Sequence, residues 1–201
     1  MSKDKNNAAE IMREKATEYL NKKYNDTFTA KGYTSSNWAY DYSSITFTPK
    51  SFPSSIVEVR AYKNDDDSYT FKDNYFKCFM NNDAVDFFKE FLKDAEVKVR
   101  FPNTIWSDEL GGASTFSEWQ SIGNCTVDSY FITNNTLSDD VMNSIVESIA
   151  KQNVSGTVTF ITTAYENKLK SEDLDNILNN QDKFISEKYE YYINSDFKPE
   201  K

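Results

Sequence analysis

The sequence predicts an α+β fold in which an antiparallel sheet carries helices packed on one face. Several segments place apolar residues three to four positions apart, as on one side of a helix. Other segments alternate apolar and polar residues, as in strands with one buried face. Short polar turns join consecutive strands, and such turns connect antiparallel neighbours. A helix with one apolar stripe and a sheet with one apolar face bury each other as layers.

The N-terminal half begins with a helix over residues 8–24, whose apolar positions include Met12, Ala16 and Leu20. Strands are predicted at residues 27–33, 38–48, 56–62 and 69–80, with a polar turn at residues 63–68 (KNDDDS). A second helix is expected from Asp83, with Asn82 or Asp83 as its N-cap. A strand at residues 97–101 follows, and Pro102 ends it.

The C-terminal part repeats the alternation of strands and helices. We predict a strand at residues 127–133, a helix capped by Ser138, a strand around residues 158–162 and a last helix capped by Ser171. The end of that helix, at residues 189–193, is expected to fray. Two strand–helix–strand segments, beginning at Tyr75 and at Tyr130, have similar lengths, and an old duplication would explain them.

These elements predict two α+β units in one chain of 201 residues. Residues 1–7 are polar and are expected to form a disordered leader or linker. Residues 8–102 form a helix-on-sheet unit, residues 103–123 an irregular loop, and residues 124–201 a second unit packed on the first. Both units would be α+β; a duplication would make them related, and the alternative is that any α+β chain offers such pairs.

Composition excludes several classes of function. The net charge of −9 repels phosphate, so nucleic acid is not an expected partner. Histidine is absent, which removes Ser-His-Asp and Cys-His catalysis and the commonest ligand of transition metals. No motif for a nucleotide cofactor occurs, and no cofactor or metal is expected. No apolar run is long enough to span a membrane. Cys78 and Cys125 are expected as thiols, with one disulfide as the alternative.

The irregular loop supplies the candidate binding residues Trp106, Phe116 and Trp119. Long ordered loops are often functional, and three aromatic rings could contact a glycan or a protein. The alternative is that the rings pack on the core and hold the loop in place. Glu109 and Glu118 in the same loop are the carboxylates we would assign to a histidine-free hydrolase.

The first hundred residues resemble small extracytoplasmic domains of Gram-positive bacteria that follow a lipobox or a single membrane helix. The resemblance rests on residues 18–24 (EYLNKKY), the strand residues 27–29 (TFT), a hairpin flanked by proline, and residues 73–75 (DNY). It implies a cystatin-like helix on an antiparallel sheet, and a cell-surface location behind an upstream anchor. The resemblance implies no known activity and no functional residues.

The sequence therefore predicts a non-enzymatic, extracytoplasmic binding or accessory domain with an unknown protein or glycan partner. A cytosolic interaction or immunity-type protein is the alternative, for which the initial Met1 and the lack of a signal sequence are the evidence. A hydrolase that uses two carboxylates is the remote alternative.

Overall fold

The chain folds as two units with separate sheets. The computed structural model describes residues 2–102, 105–108, 110, 115–123, 125–164 and 169–200, with side chains from residue 8 onward. Unit 1 comprises Met1–Cys78 and Trp106–Glu109, and unit 2 comprises Phe79–Ile105 and Leu110–Lys201. The mixture of helices and sheets in both units confirms the predicted α+β class.

Unit 1 contains a long helix and a four-stranded antiparallel sheet. The helix α1 spans Ser2–Lys23, and the strands are β1 (Phe28–Thr34), β2 (Tyr42–Pro49), β3 (Val57–Lys63) and β4 (Tyr69–Asp73). The strands pair in chain order, as the short turns predict. Because α1 begins at Ser2, the predicted disordered leader was wrong for residues 2–7.

The core of unit 1 lies between α1 and one face of the sheet. Met12, Ala16 and Leu20 recur every four residues and are buried on α1. The buried face of the sheet shows the expected alternation, with Ile45 and Phe47 on β2 fully buried. Burial of each large apolar side chain contributes about 1.5–3 kcal/mol.

Unit 2 contains a mixed sheet, and its elements follow in chain order. They are α2 (Phe76–Lys89, which begins in unit 1), β5 (Glu96–Arg100), α3 (Phe116–Ile122), β6 (Cys125–Thr126), β7 (Asp128–Thr133), α4 (Asp139–Ala150), β8 (Val154–Thr163), a 3-10 turn (Ser171–Asp173), α5 (Leu174–Asn179), α6 (Gln181–Phe184), β9 (Ile185–Ile193) and β10 (Pro199–Glu200). The strand order is β10-β9-β8-β7-β5, with β7 and β8 parallel and β6 pairing beside β8. Ser138 caps α4 as predicted, accepting a hydrogen bond from the amide of Val141.

The pairing of β5 corrects the predicted division of the chain. β5 pairs antiparallel with β7, so it belongs to the C-terminal sheet and the boundary at residue 102 was wrong. Residues 76–80, predicted as strand, are helical in α2. The duplication was also wrong: β7 and β8 are parallel neighbours in one sheet, whereas β4 and β5 lie in different sheets.

The last third differs from the prediction in its final element. Residues 189–193 belong to β9, which pairs with both β8 and β10, so the predicted fraying helix end was wrong. In β9, Tyr191 and Ile193 are buried while their neighbours are not, which is the period of a strand. Ser171 is the first residue of the 3-10 turn and Lys170 is its N-cap.

Helices cover both faces of the unit 2 sheet, whereas the sequence predicts one covered face. On one face, Phe88 of α2 contacts Phe131 of β7 at 6.2 Å between ring centroids, and Phe131 stacks on Phe160 of β8. On the other face, Ile132 and Ile161 pack with apolar residues of α5. Consecutive residues of β7 point to opposite faces, so the run Phe131-Ile132 supplies both cores.

Part of the predicted irregular loop is a short, well-capped helix. Thr115 and Glu118 form a capping box at the start of α3: the Thr115 hydroxyl accepts from the Glu118 amide, and the Glu118 carboxylate accepts from the Thr115 amide at 2.9 Å. Gly123 ends α3 in the left-handed conformation. The expectation of irregular structure was therefore wrong for residues 116–122, while residues 103, 104, 109 and 111–114 lie outside the described residues.

Candidate binding surface

The predicted aromatic patch is not a surface, because all three rings are buried. Trp106 is 5% exposed and belongs to unit 1, where its ring lies 3.8 Å from the Arg60 guanidinium. Phe116 and Trp119 are at most 2% exposed and belong to unit 2, where they contact each other. The rings pack in the core, which is the alternative that the sequence also offered.

Among the described residues, the most exposed aromatic side chain lies elsewhere, in the turn of residues 37–40 between β1 and β2. Asn37 and Tyr40 exchange two backbone hydrogen bonds, and the Asn37 side chain accepts a third from the Ala39 amide at 2.8 Å. This closed turn holds Trp38 at its tip, 98% exposed. An Asx-type turn of this kind fixes the backbone, so Trp38 is displayed from an ordered position.

Three tyrosines continue from the turn across the outer face of the sheet, and we call Tyr40, Tyr42 and Tyr62 the tyrosine ladder. Tyr40 and Tyr42 have ring centroids 5.5 Å apart, and Tyr42 and Tyr62, which are directly opposite in the pairing of β2 and β3, are 5.4 Å apart. Tyr40 is 55% exposed. Cross-strand aromatic pairs stabilise a sheet and also give rigid contact area.

Two cations lie against the ladder. The Arg60 guanidinium sits between Tyr42, at 4.3 Å, and Trp106, and its Nε donates to Glu58 at 3.2 Å. Lys72 lies 5.6 Å from the Tyr62 ring and pairs with Asp108 at 2.8 Å. Burial raises the pKa of Tyr42, although Arg60 partly opposes it. Trp106 and Asp108 thus contact side chains of β3 and β4, and Arg60 and Lys72 partly cover Tyr42 and Tyr62, while Tyr40 stays exposed.

The other face of unit 1 is fixed by a buried carboxylate. Asp73 is fully buried and accepts hydrogen bonds from Tyr19 at 2.7 Å, Tyr24 at 2.8 Å and Lys23 at 2.9 Å, all on or next to α1. Burial and then the Asp73 charge raise the pKa of both tyrosines. The backbone carbonyl of Asp73 also accepts from the Ser107 amide, and the Asp73 amide donates to the Ser107 hydroxyl. This cluster joins α1, β4 and Ser107, which is a structural role.

A second carboxylate holds the junction between α1 and β1. Asp26 accepts hydrogen bonds from the Tyr75 hydroxyl at 2.6 Å and from the Thr27 and Ser51 amides. Its small burial would raise its pKa, but these hydrogen bonds outweigh that effect and lower the pKa below 3.8. The interaction is local and requires no ligand.

The residues proposed for catalysis are otherwise engaged or lie outside the described residues. Glu118 is committed to the capping box of α3, and Glu109 lies outside the described residues. The acidic turn of residues 64–67 is the tip of the β3–β4 hairpin, as the sequence predicts, with Asp67 in the left-handed conformation. Within the described ranges, no cluster of His, Cys, Asp and Glu could hold a metal ion.

Both cysteines are free thiols, as expected, and the alternative of a disulfide is not formed. Cys78 lies in unit 1 and is half-buried, and Cys125 is buried in unit 2. Burial raises the pKa of both thiols, so neither has the character of a reactive thiolate. No helix in the described part of the chain is long and apolar enough to cross a membrane.

Comparison with known proteins gives one structural neighbour. No protein-family model matches the chain, and no curated protein matches it. Among solved structures, a DUF5037 family protein from Ruminococcus gnavus ATCC 29149 is similar over 93% of both chains, with 12% sequence identity and a TM-score of 0.48.

Sequence reasoning missed the turn and the ladder, although a signal was present. Trp38, Tyr40 and Tyr42 alternate with small or polar residues, so a strand would place all three side chains on one side. That side is the solvent face, because Ser43, Ile45 and Phe47 occupy the buried one. The alternation alone could not show which face was covered.

Proposed function

We propose that the protein is a non-enzymatic binding domain that holds a partner protein on Trp38 and the tyrosine ladder of unit 1. The observation that carries the proposal is the exposure of Trp38, 98%, on a turn closed by three hydrogen bonds. A rigid Trp beside exposed Tyr and a stacked Arg is the composition of an interface hot spot. Large exposed apolar side chains held together in this way commonly mark interaction sites.

The electrostatics favour a protein partner of mixed charge. Arg60 and Lys72 lie next to the ladder, and each has an acidic neighbour, Glu58 and Asp108. The rim of the surface therefore offers donors and acceptors of both signs around an aromatic centre. Protein interfaces have the same organisation, with an aromatic core and a polar rim.

For location, we propose an extracytoplasmic domain tethered to the cell surface. The resemblance of the first hundred residues to such domains supports it. The cytosolic interaction protein is the alternative. Fractionation of the source cells followed by the intact mass of the native protein separates the two: a lipid-modified or membrane-associated form supports tethering, and an unmodified soluble form supports the alternative.

The binding site is tested by quantitative pull-down with three proteins: the wild type, Trp38→Ala and Tyr192→Ala. Tyr192 is 51% exposed on β9 of unit 2, so it is a matched control for loss of a surface aromatic. We expect a partner retained by the wild type and by Tyr192→Ala and lost with Trp38→Ala. Equal retention by all three proteins would place the interaction elsewhere, and retention on a glycan array would change the partner class.

A further inference from the structure

A second site is present in unit 2, where a cavity of about 530 Å³ follows the strand β5. Four consecutive residues of β5, from Glu96 to Val99, form its floor. One wall is α2, with Asn82, Val85 and Lys89, and the other is the segment from Leu169 to Leu174. The volume lies within the range of about 300–1,000 Å³ that ligand sites usually have.

The floor of this cavity is the edge of a sheet. β5 is the last strand in the order β10-β9-β8-β7-β5 and pairs with β7 on one side. Among the described residues, no strand pairs with its other side. An edge strand presents alternate N–H and C=O groups to whatever lies beside it, and an extended chain can pair with them.

Three of the four charged residues that line the cavity are lysines, in a protein whose net charge is −9. Lys89, Lys98 and Lys170 line the cavity, together with a single carboxylate, Glu96. Each lysine has an acidic neighbour, at 3.1 Å for Lys89–Glu96, 2.6 Å for Lys98–Asp175 and 3.5 Å for Lys170–Glu172. Such partly exposed pairs contribute about 0–1 kcal/mol, so an incoming carboxylate can share or replace them.

We infer that unit 2 binds an acidic peptide segment in extended conformation, which adds to the sheet as a strand beside β5. The backbone of the peptide pairs with the free edge of β5, and its acidic side chains meet Lys98 and Lys170 on the side of residues 169–174. Its alternate side chains are apolar, point to the opposite wall and contact Val85 of α2. Five residues of extended peptide span about 17 Å, the length of the five-residue strand β5.

A second copy of the chain fits this edge less well. In an antiparallel pairing centred on β5, Glu96 would face Arg100 of the second copy but Lys98 would face Lys98, and like charges directly opposite destabilise a sheet. The second copy would also bring its own α2 and residues 169–174 to the same edge. A partner with carboxylates at these positions avoids this repulsion. The site is in unit 2 and does not depend on the tyrosine ladder.

The test uses the ¹⁵N-labelled full chain and three blocked pentapeptides at concentrations up to the millimolar range. The probes are Ac-Glu-Val-Glu-Val-Glu-NH₂, its analogue with N-methyl groups on alternate residues, and Ac-Lys-Val-Lys-Val-Lys-NH₂. We expect saturable amide shifts in β5, α2 and residues 169–174 with the acidic peptide. N-methylation removes backbone donors, so it should weaken binding at least about tenfold. The basic peptide should bind no more tightly than the N-methylated peptide.

A charge-reversal variant completes the test. Lys170→Glu should weaken binding of the acidic peptide about tenfold, whereas Lys151→Glu, at the end of α4 and outside the cavity, should leave it unchanged. The absence of any saturable shift at β5 would overturn the inference. So would equal binding of the N-methylated peptide, which would show that the edge is not used, or a concentration-dependent dimer that the peptide does not dissociate.

Discussion

Replacement of Asp73 by Asn tests whether the buried carboxylate holds unit 1 together. In the wild type, Tyr19, Lys23 and Tyr24 donate to Asp73 over 2.7–2.9 Å, and Asp73 has no exposed surface. Asn keeps the shape but puts an NH₂ group where one acceptor oxygen was. Hydrogen bonds to a charged group contribute about 1.5–3 kcal/mol each, and a buried group left without its partner adds a further penalty.

The expected loss can be estimated bond by bond. Lys23 is 30% exposed and can turn to water, so the loss of its ion pair costs little. The two tyrosine bonds weaken, and one of them faces an N–H. We therefore expect Asp73→Asn to reduce the free energy of unfolding by about 2–3 kcal/mol. For a urea m-value of about 1–1.5 kcal/mol/M, the unfolding midpoint falls by about 2 M.

The assay is hydrogen exchange followed by mass spectrometry across a urea series, with peptides from β2 to β4 as the signal. Asp108→Asn is the matched control, because it removes an ion pair whose carboxylate is 50% exposed and should cost under about 1 kcal/mol. A midpoint for Asp73→Asn equal to that of the control would refute the reasoning, since the buried network would then contribute no more than a surface pair.

Three further changes have defined outcomes. Gly156→Ala should lower the free energy of unfolding by more than about 3 kcal/mol in thermal unfolding, because φ at Gly156 is 115° and a Cβ would overlap the carbonyl oxygen of Val127. Gly123→Ala is the control: φ is 84° but the space is open, so the loss should be about 1 kcal/mol. Asp26 has a lowered folded pKa, so its stabilisation is complete above pH 3.8 and is lost as the pH falls through the folded pKa; Asp26→Asn should flatten this part of an acid titration followed by circular dichroism. Thr159→Val should be neutral or stabilising by up to about 1 kcal/mol in urea, because the buried Thr159 hydroxyl has no hydrogen-bond partner among the described residues. Equal losses of stability for the two glycine variants would contradict the steric reasoning at Gly156. An acid transition of Asp26→Asn parallel to that of the wild type would contradict the role of Asp26, and clear destabilisation by Thr159→Val would contradict the cost assigned to the Thr159 hydroxyl.

Local patterns in the sequence were sufficient for most elements of the fold. The spacing of Met12, Ala16 and Leu20 predicts α1, and the alternation around Val57 and Val59 predicts β3. Ser138 followed by Asp139 and Asp140 predicts the start of α4, because an oxygen acceptor and negative charge both favour a helix N-terminus.

The errors have a common physical cause, which is that partners distant in the chain decide the outcome. Nothing near β5 indicates that it pairs with β7 rather than with β4. Residues 76–80 are rich in aromatic residues and suit a strand, but they are helical in the complete fold. The prediction of the aromatic patch was wrong for the same reason. Trp106 is buried, and its ring stacks on Arg60, which is distant in the chain.

The division of unit 1 into two separated segments has a consequence for synthesis of the chain. Asp73 shares two hydrogen bonds with Ser107, one to its backbone and one to its hydroxyl, and Arg60 stacks on Trp106. The residues of α2 and β5 are made between these partners. On a ribosome, the first sheet can therefore form early but stays incomplete until about thirty more residues have emerged, a few seconds at the usual elongation rate. A fragment that ends at Cys78 would stop at this intermediate stage, with the outer side of Arg60 open to water.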